Sequence, residues 1–180
     1  MRKQKGFSLI ELLIVVAIIL IIAAIAIPNL IRAKISANQA SAAAALRTIG
    51  TSEVQYSSQY GFYSTALVNL GTNGAANCAP PPVAAQACLV DGVLSAGATT
   101  GKSGYLIAQT GYVVAPATTN NSFEAEAGPI AFQRSGITTF CMADTDGVVR
   151  SNPNNTASGL PGLTNVTCGT TAAYTPMNSN

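Results

Sequence analysis

Glu11 is the first residue whose chemistry needs a reason. It lies in GFSLIELLIVV, residues Gly6 to Val16, and between Phe7 and Ile27 only it and Ser8 are polar. A charged side chain near a bilayer centre costs about 2.5–3.5 kcal/mol even on lenient insertion scales, so an acid in such a run calls for a partner or a purpose. The other acids suggest less. Glu124 and Glu126 share one side of a strand by period two, and nothing near them separates two carboxylate pKa values as an acid–base pair requires, so a solvated acidic face is expected. Asp144 and Asp146 form D-x-D-G. A calcium loop of the EF-hand type needs a Glu where Asn155 stands, so the two acids read as turn formers and no metal is expected.

Catalytic constellations are missing from the sequence. There is no His, which removes the usual general base near neutral pH and the commonest metal ligand. No G-x-S-x-G, Ser-x-x-Lys or Cys–His set occurs, and Gly101-Lys102-Ser103 lacks the upstream glycines of a phosphate loop. The chain therefore reads as a non-enzyme without a cofactor. Its charge of +2 is local: Arg2, Lys3 and Lys5 precede Phe7, after which six basic residues meet seven acidic ones. No basic patch remains on the body to suggest a nucleic-acid partner.

The four cysteines are Cys78, Cys88, Cys141 and Cys168. None stands in a zinc-like or C-x-x-C spacing, and an even number behind an N-terminal membrane segment points to disulfides in an oxidising compartment. Three connectivities are open, between which the sequence does not select. The local pairs Cys78–Cys88 and Cys141–Cys168 are favoured because each closes a short, loop-rich stretch, for about 2–4 kcal/mol.

These residues need elements to position them. Phe7 to Ile27 is twenty-one residues long, enough to span a hydrocarbon core of ~30 Å at ~1.5 Å per residue. The preceding positive charges place residues 1–6 in the cytoplasm and the rest outside. A cleaved secretory signal fits poorly, because the apolar run exceeds the usual length of about 7–15 residues and contains an acid. Past Pro28, Ile31, Ile35, Ala42, Ala45, Leu46, Ile49 and Tyr56 keep to one helical face. One helix over residues 7–59 is expected, membrane-spanning at about 7–27 and amphipathic in its second half. Pro28 removes one backbone hydrogen bond and should kink or loosen the helix near residues 24–28.

The run Lys5-Gly6-Phe7-Ser8-Leu9-Ile10-Glu11-Leu12-Leu13 resembles the processing site of the type IV pilin superfamily. A short basic leader ends in Gly, Phe follows, and a Glu lies five residues into the mature chain ahead of an unbroken apolar helix. The resemblance covers roughly residues 1–59 and includes Pro28. It implies that a prepilin peptidase removes residues 1–6 between Gly6 and Phe7 and methylates the new Phe7 terminus. Glu11 would then lie one helical turn from the Phe7 ammonium and in a first turn that favours acids by ~0.3–1 kcal/mol. In the assembled state the resemblance pairs Glu11 with the Phe7 amine of an adjoining subunit, fixing register.

After Tyr60-Gly61 the composition turns to Gly, Thr, Asn, Ser and Pro, marking a boundary near residue 60. Residues 61–103 read as a connecting region with little regular structure, including the stiff Ala79-Pro80-Pro81-Pro82 piece. Strand candidates follow at Gly104–Gln109, Gly111–Ala115, Ser122–Ala127, Ile137–Ala143 and Val148–Ser151. The Asp144-Thr145-Asp146-Gly147 turn is the best hairpin signal. Phe140, Asp144, Gly147, Val149 and Arg150 also resemble the last hairpin of many pilin-like heads. Tyr56, Tyr60, Phe62 and Tyr63 read as core packing rather than a conduction path.

The expected fold is α+β: a long N-terminal helix packed by its second half on a small antiparallel sheet, with residues 60–180 as an extracytoplasmic head. The resemblance implies a structural subunit of a type IV pilus, held in the bacterial inner membrane and polymerised through its helix. Its partners would be further copies of itself, the peptidase, and an inner-membrane platform with its ATPase. A pseudopilin of a type II secretion system, acting in the periplasm, is the alternative within the superfamily. A signal-anchored periplasmic enzyme or binding module is the alternative outside it.

Overall fold

The structure, a computed structural model of the chain, describes residues 7–72, 78, 81–154, 156–162, 168 and 173–177. The leader (residues 1–6, with Gly6), Ala79-Pro80 and Asn155 lie outside the described residues. Helix α1 runs from Leu9 to Tyr60 without a break in assignment at Pro28. The chain divides into two units, Met1–Lys34 and Ile35–Asn180.

The first unit is the apolar part of α1. From Phe7 to Ile22 every described side chain is exposed, with Leu9, Ile10, Leu20 and Ile21 each more than 60% exposed. A helix apolar all round is one that lipid or other protein must cover.

The second unit contains the rest of α1 and everything that follows it. Two one-turn helices come first, α2 (Leu67–Leu70) and α3 (Gly92–Ser95), in the region expected to be irregular. Asp91 caps α3 by accepting from the Leu94 N–H at 2.8 Å, which satisfies one of the orphan donors at the helix start. Strands β1 (Tyr105–Tyr112), β2 (Ser122–Pro129), β3 (Thr139–Ala143), β4 (Val149–Asn152) and β5 (Thr175–Pro176) form one antiparallel sheet in sequential order. The two strands expected on either side of Thr110, Gly104–Gln109 and Gly111–Ala115, are one strand that ends at Tyr112. Gly111 does not break it; a Cβ there would overlap the Ser64 carbonyl, so the glycine permits a close backbone approach.

Along α1, Ala42, Ala45, Leu46, Ile49 and Tyr56 are buried as their spacing requires, whereas Ile31, expected on that face, is exposed. They pack with Tyr105 and Ile107 of β1, Phe123, Ala125 and Ala127 of β2, and Phe140 and Met142 of β3. Each fully buried Leu, Ile or Phe side chain contributes roughly 1.5–3 kcal/mol relative to exposure. The aromatic residues at the helix end join this core. Tyr56 packs against Tyr60 with ring centroids 4.6 Å apart and tilted, and meets Phe62 edge-on, as Tyr63 does Phe123.

Candidate functional site

The N-terminal segment carries the site that the sequence singles out. Ser8 begins the helix: the Leu12 N–H donates to its carbonyl at 3.2 Å, and its own N–H donates to Glu11 Oε2 at 2.9 Å. That is one arm of a capping box, in which an acid at the third helical position reaches back to the residue before the helix. The Ser8-x-x-Glu11 spacing was legible in the sequence as a cap and went unread there, hidden behind the question of membrane burial. Phe7 is 81% exposed. Pro28 lies inside α1, where its missing N–H leaves one carbonyl of the preceding turn without its helical donor.

The head presents groups of a different kind. Cys78 is bonded to Cys88 and Cys141 to Cys168. The Asp144–Gly147 turn uses its own acids: Asp144 Oδ1 accepts from Ser122 Oγ at 2.5 Å, Asp146 Oδ1 accepts from the Val148 N–H at 3.0 Å, and Asp146 pairs with Arg150. The Arg150 guanidinium holds the Asp146 carboxyl below the usual carboxylate range.

The solvated acidic face expected for Glu124 and Glu126 is not what forms. Both lie on one side of β2, in register with Ala143 and Cys141 of β3, but Glu124 is buried and Glu126 half-buried. The cover is the Cys141–Cys168 bond together with Tyr174, whose hydroxyl meets Thr139 Oγ1 at 3.0 Å. Period two placed the acids on the same side and carried no information about a tail folding over them. Burial, then the Glu126 charge, pushes the Glu124 carboxyl up to about 7, opposed by the Cys168 backbone. A Glu124 oxygen and the two sulfurs lie within 4.8 Å of one another. The sulfurs are bonded to each other, so they offer no thiolate to a metal.

Glu53 went entirely unremarked in the sequence, because it interrupts the apolar face of α1 and looks like an edge residue. It is fully buried. Its Oε2 accepts from the Ser64 N–H at 3.0 Å, and its Oε1 lies 2.5 Å from Ser64 Oγ. Burial pushes this carboxyl from about 4.5 up to about 7 against those contacts. A surface groove of about 550 Å³ is lined by Ala66, Leu67, Ser95, Ala96, Ala108 and Gln109 among others, none of them ionisable.

Comparison with known proteins points to the N-terminal segment. Residues 1–27 match the model of the prokaryotic N-terminal methylation motif. The chain is 45% identical over 74 residues to the type IV wide pilus major component PilA4 of Thermus thermophilus, a match covering 39% of this chain and 56% of that protein. It is 42% identical over 69 residues to the type IV major pilin protein PilA of Myxococcus xanthus, covering 38% of this chain and 31% of that protein. The chain thus spans about half of the first relative's length and about a third of the second's. No solved structure matches significantly. With the methylation motif at its start and an α+β architecture behind it, the chain is similar to type IV major pilins over about two fifths of its length.

Proposed function

We propose that this chain is a structural subunit of a type IV pilus, stored in the inner membrane and polymerised through the first half of α1 once residues 1–6 are removed. The observation that carries the reading is the Leu9–Ile27 segment, apolar on every face, headed by the methylation motif and by a single acid. Leaving lipid for a protein core gains little hydrophobic energy, since both are apolar, so packing and polar pairing must supply the specificity of assembly.

In this reading a prepilin peptidase cleaves between Gly6 and Phe7 and methylates Phe7, and a membrane platform with its ATPase extracts the subunit. Glu11 has two states. In the chain it caps its own helix through the Ser8 N–H. In the filament it meets the Phe7 ammonium of an adjoining copy, which exists only after cleavage. The likeness to two proteins named as major pilus components supports a pilus subunit over a secretion pseudopilin. Mass spectrometry of membrane-extracted and surface-sheared material tests the proposal. A membrane pool and a filament pool both starting at methylated Phe7 are expected; intact residues 1–6 in sheared filaments contradict it.

A further inference from the structure

Ser64 stands among more oxygens than its one proton can serve. Its Oγ is 2.5 Å from Glu53 Oε1 and 3.1 Å from Gln109 Oε1, with the Ala66 carbonyl at 3.3 Å as a further acceptor. The orientation of Gln109 is set independently, because its Nε2 donates to the Ser64 carbonyl at 3.2 Å and so turns Oε1 toward Ser64 Oγ. A serine hydroxyl has a single proton to donate. With Glu53 ionised, that proton goes either to the carboxylate or to Gln109, and the other close oxygen pair holds no hydrogen. With Glu53 neutral, its O–H donates to Ser64 Oγ and the Ser64 O–H donates to Gln109 Oε1. Both contacts are then satisfied, and the Ser64 N–H still donates to Oε2.

We propose that Glu53 is a proton-dependent clasp, neutral in the closed head, whose ionisation releases the segment from Gly61 to Ala66 from α1 and β1. The segment is held on one side by Glu53 and on the other by the sheet, through the Ala66–Thr110 bridge and the Gly111 N–H to the Thr65 carbonyl at 3.4 Å. Tyr63 adds a donation from its N–H to the Asn120 carbonyl at 2.8 Å. Glu53 is fully buried, so a charge created here is cut off from bulk solvent.

The groups facing Glu53 offer its anion the Ser64 N–H and hydroxyl but no cation. From α1 itself comes Tyr56, whose hydroxyl donates to the Ala84 carbonyl and whose own ionisation Glu53 disfavours. Ser64 from the loop and Gln109 from β1 are neutral, and Tyr63 turns to Phe123. Among the described residues no cationic side chain stabilises the carboxylate; Arg47, two turns earlier, lines a groove with Val54, Tyr63 and Asp144. The upward shift to about 7 has the same sense. Because the folded value is raised, the clasp is strongest below about 4.5 and weakens as pH climbs through about 7. This device is independent of the filament reading.

The test uses the full-length protein in detergent micelles, carbon-13 labelled at glutamate. The chain has four glutamates, Glu11, Glu53, Glu124 and Glu126, so carboxyl signals can be followed singly, with E124Q removing the other buried acid. In E124Q one remaining glutamate is expected to titrate near neutrality. Hydrogen exchange of residues 61–66, corrected for intrinsic rates, should rise on the order of tenfold or more across that titration. Glu53→Gln, which keeps a donor and an acceptor in place, should abolish both the titration and the rise. Persistence of the alkaline loosening in E53Q overturns the clasp, as does the lack of any neutral-range glutamate in E124Q. The second criterion holds even if E53Q does not fold.

Discussion

The two halves of α1 each carry one acid in apolar surroundings, and they accommodate it by opposite means. In the first half Glu11 sits at the helix start, where the Ser8 N–H and the positive end of the dipole are supplied by the helix itself. In the second half Glu53 sits mid-helix, where the backbone donors are already used, and its partner is Ser64, 11 residues later, itself bonded to Gln109 of β1. A terminal acid can be satisfied locally and remains available to another molecule. A mid-helix acid is satisfied only by tertiary structure and is committed to it.

The largest effect is expected at the first acid. Glu11→Leu should leave membrane insertion intact, since it removes a charge from an apolar run. It should reduce sheared filament yield by about tenfold or more, because breaking a buried ion pair by removing one partner is destabilising by about 3–5 kcal/mol. Immunoblots of membrane and sheared fractions measure both; wild-type filament yield would remove the contrast between a transferable acid and a committed one.

Next comes the second acid. Glu53→Ala should destabilise the head by about 2–4 kcal/mol, by stranding the buried Ser64 N–H and leaving a void, and should leave filament-core contacts of the first half untouched. Thermal unfolding followed by near-ultraviolet circular dichroism reads the loss. The pH dependence has a definite sign. For Glu53 and Glu124, both raised to about 7, the folded state binds protons that the unfolded chain has released, so stability falls as pH rises from about 4.5 through 7. The maximum loss is about 3–4 kcal/mol per group. A melting temperature that climbs over this range would reverse the assignment.

Smaller effects should separate the two disulfides. Cys141–Cys168 closes a separation of 27 residues and covers Glu124, whereas Cys78–Cys88 closes 10. Replacing the first pair by serine should cost about 3 kcal/mol and return Glu124 toward an ordinary carboxylic pKa, the second rather less. Limited proteolysis with and without reductant checks this: unchanged resistance after reduction argues against structural roles. The smallest change is expected at the exposed Lys102–Asp91 pair. Lys102→Ala should shift stability by under about 1 kcal/mol, within what surface ion pairs contribute, and by contrast with Asp91→Ala it leaves the α3 cap in place.

Much of this molecule was determined by local rules. The twenty-one-residue apolar run, the methylation motif over residues 1–27, the buried face from Ala42 to Tyr56 and the Asp144–Gly147 hairpin all follow from spacing, charge and turn chemistry between near neighbours. So does the Ser8–Glu11 cap, which needs only its own helix turn. What the tertiary structure alone decided is the environment of each head carboxyl. Glu124 and Glu126 have the pattern of a wet strand face until Cys168 and Tyr174 cover them. Glu53 has the pattern of a helix edge until Ser64 and Gln109 arrive from later in the chain. Periodicity reports which side of an element a residue faces. Only long-range packing determines whether that side meets water, and with it whether an acid keeps its proton.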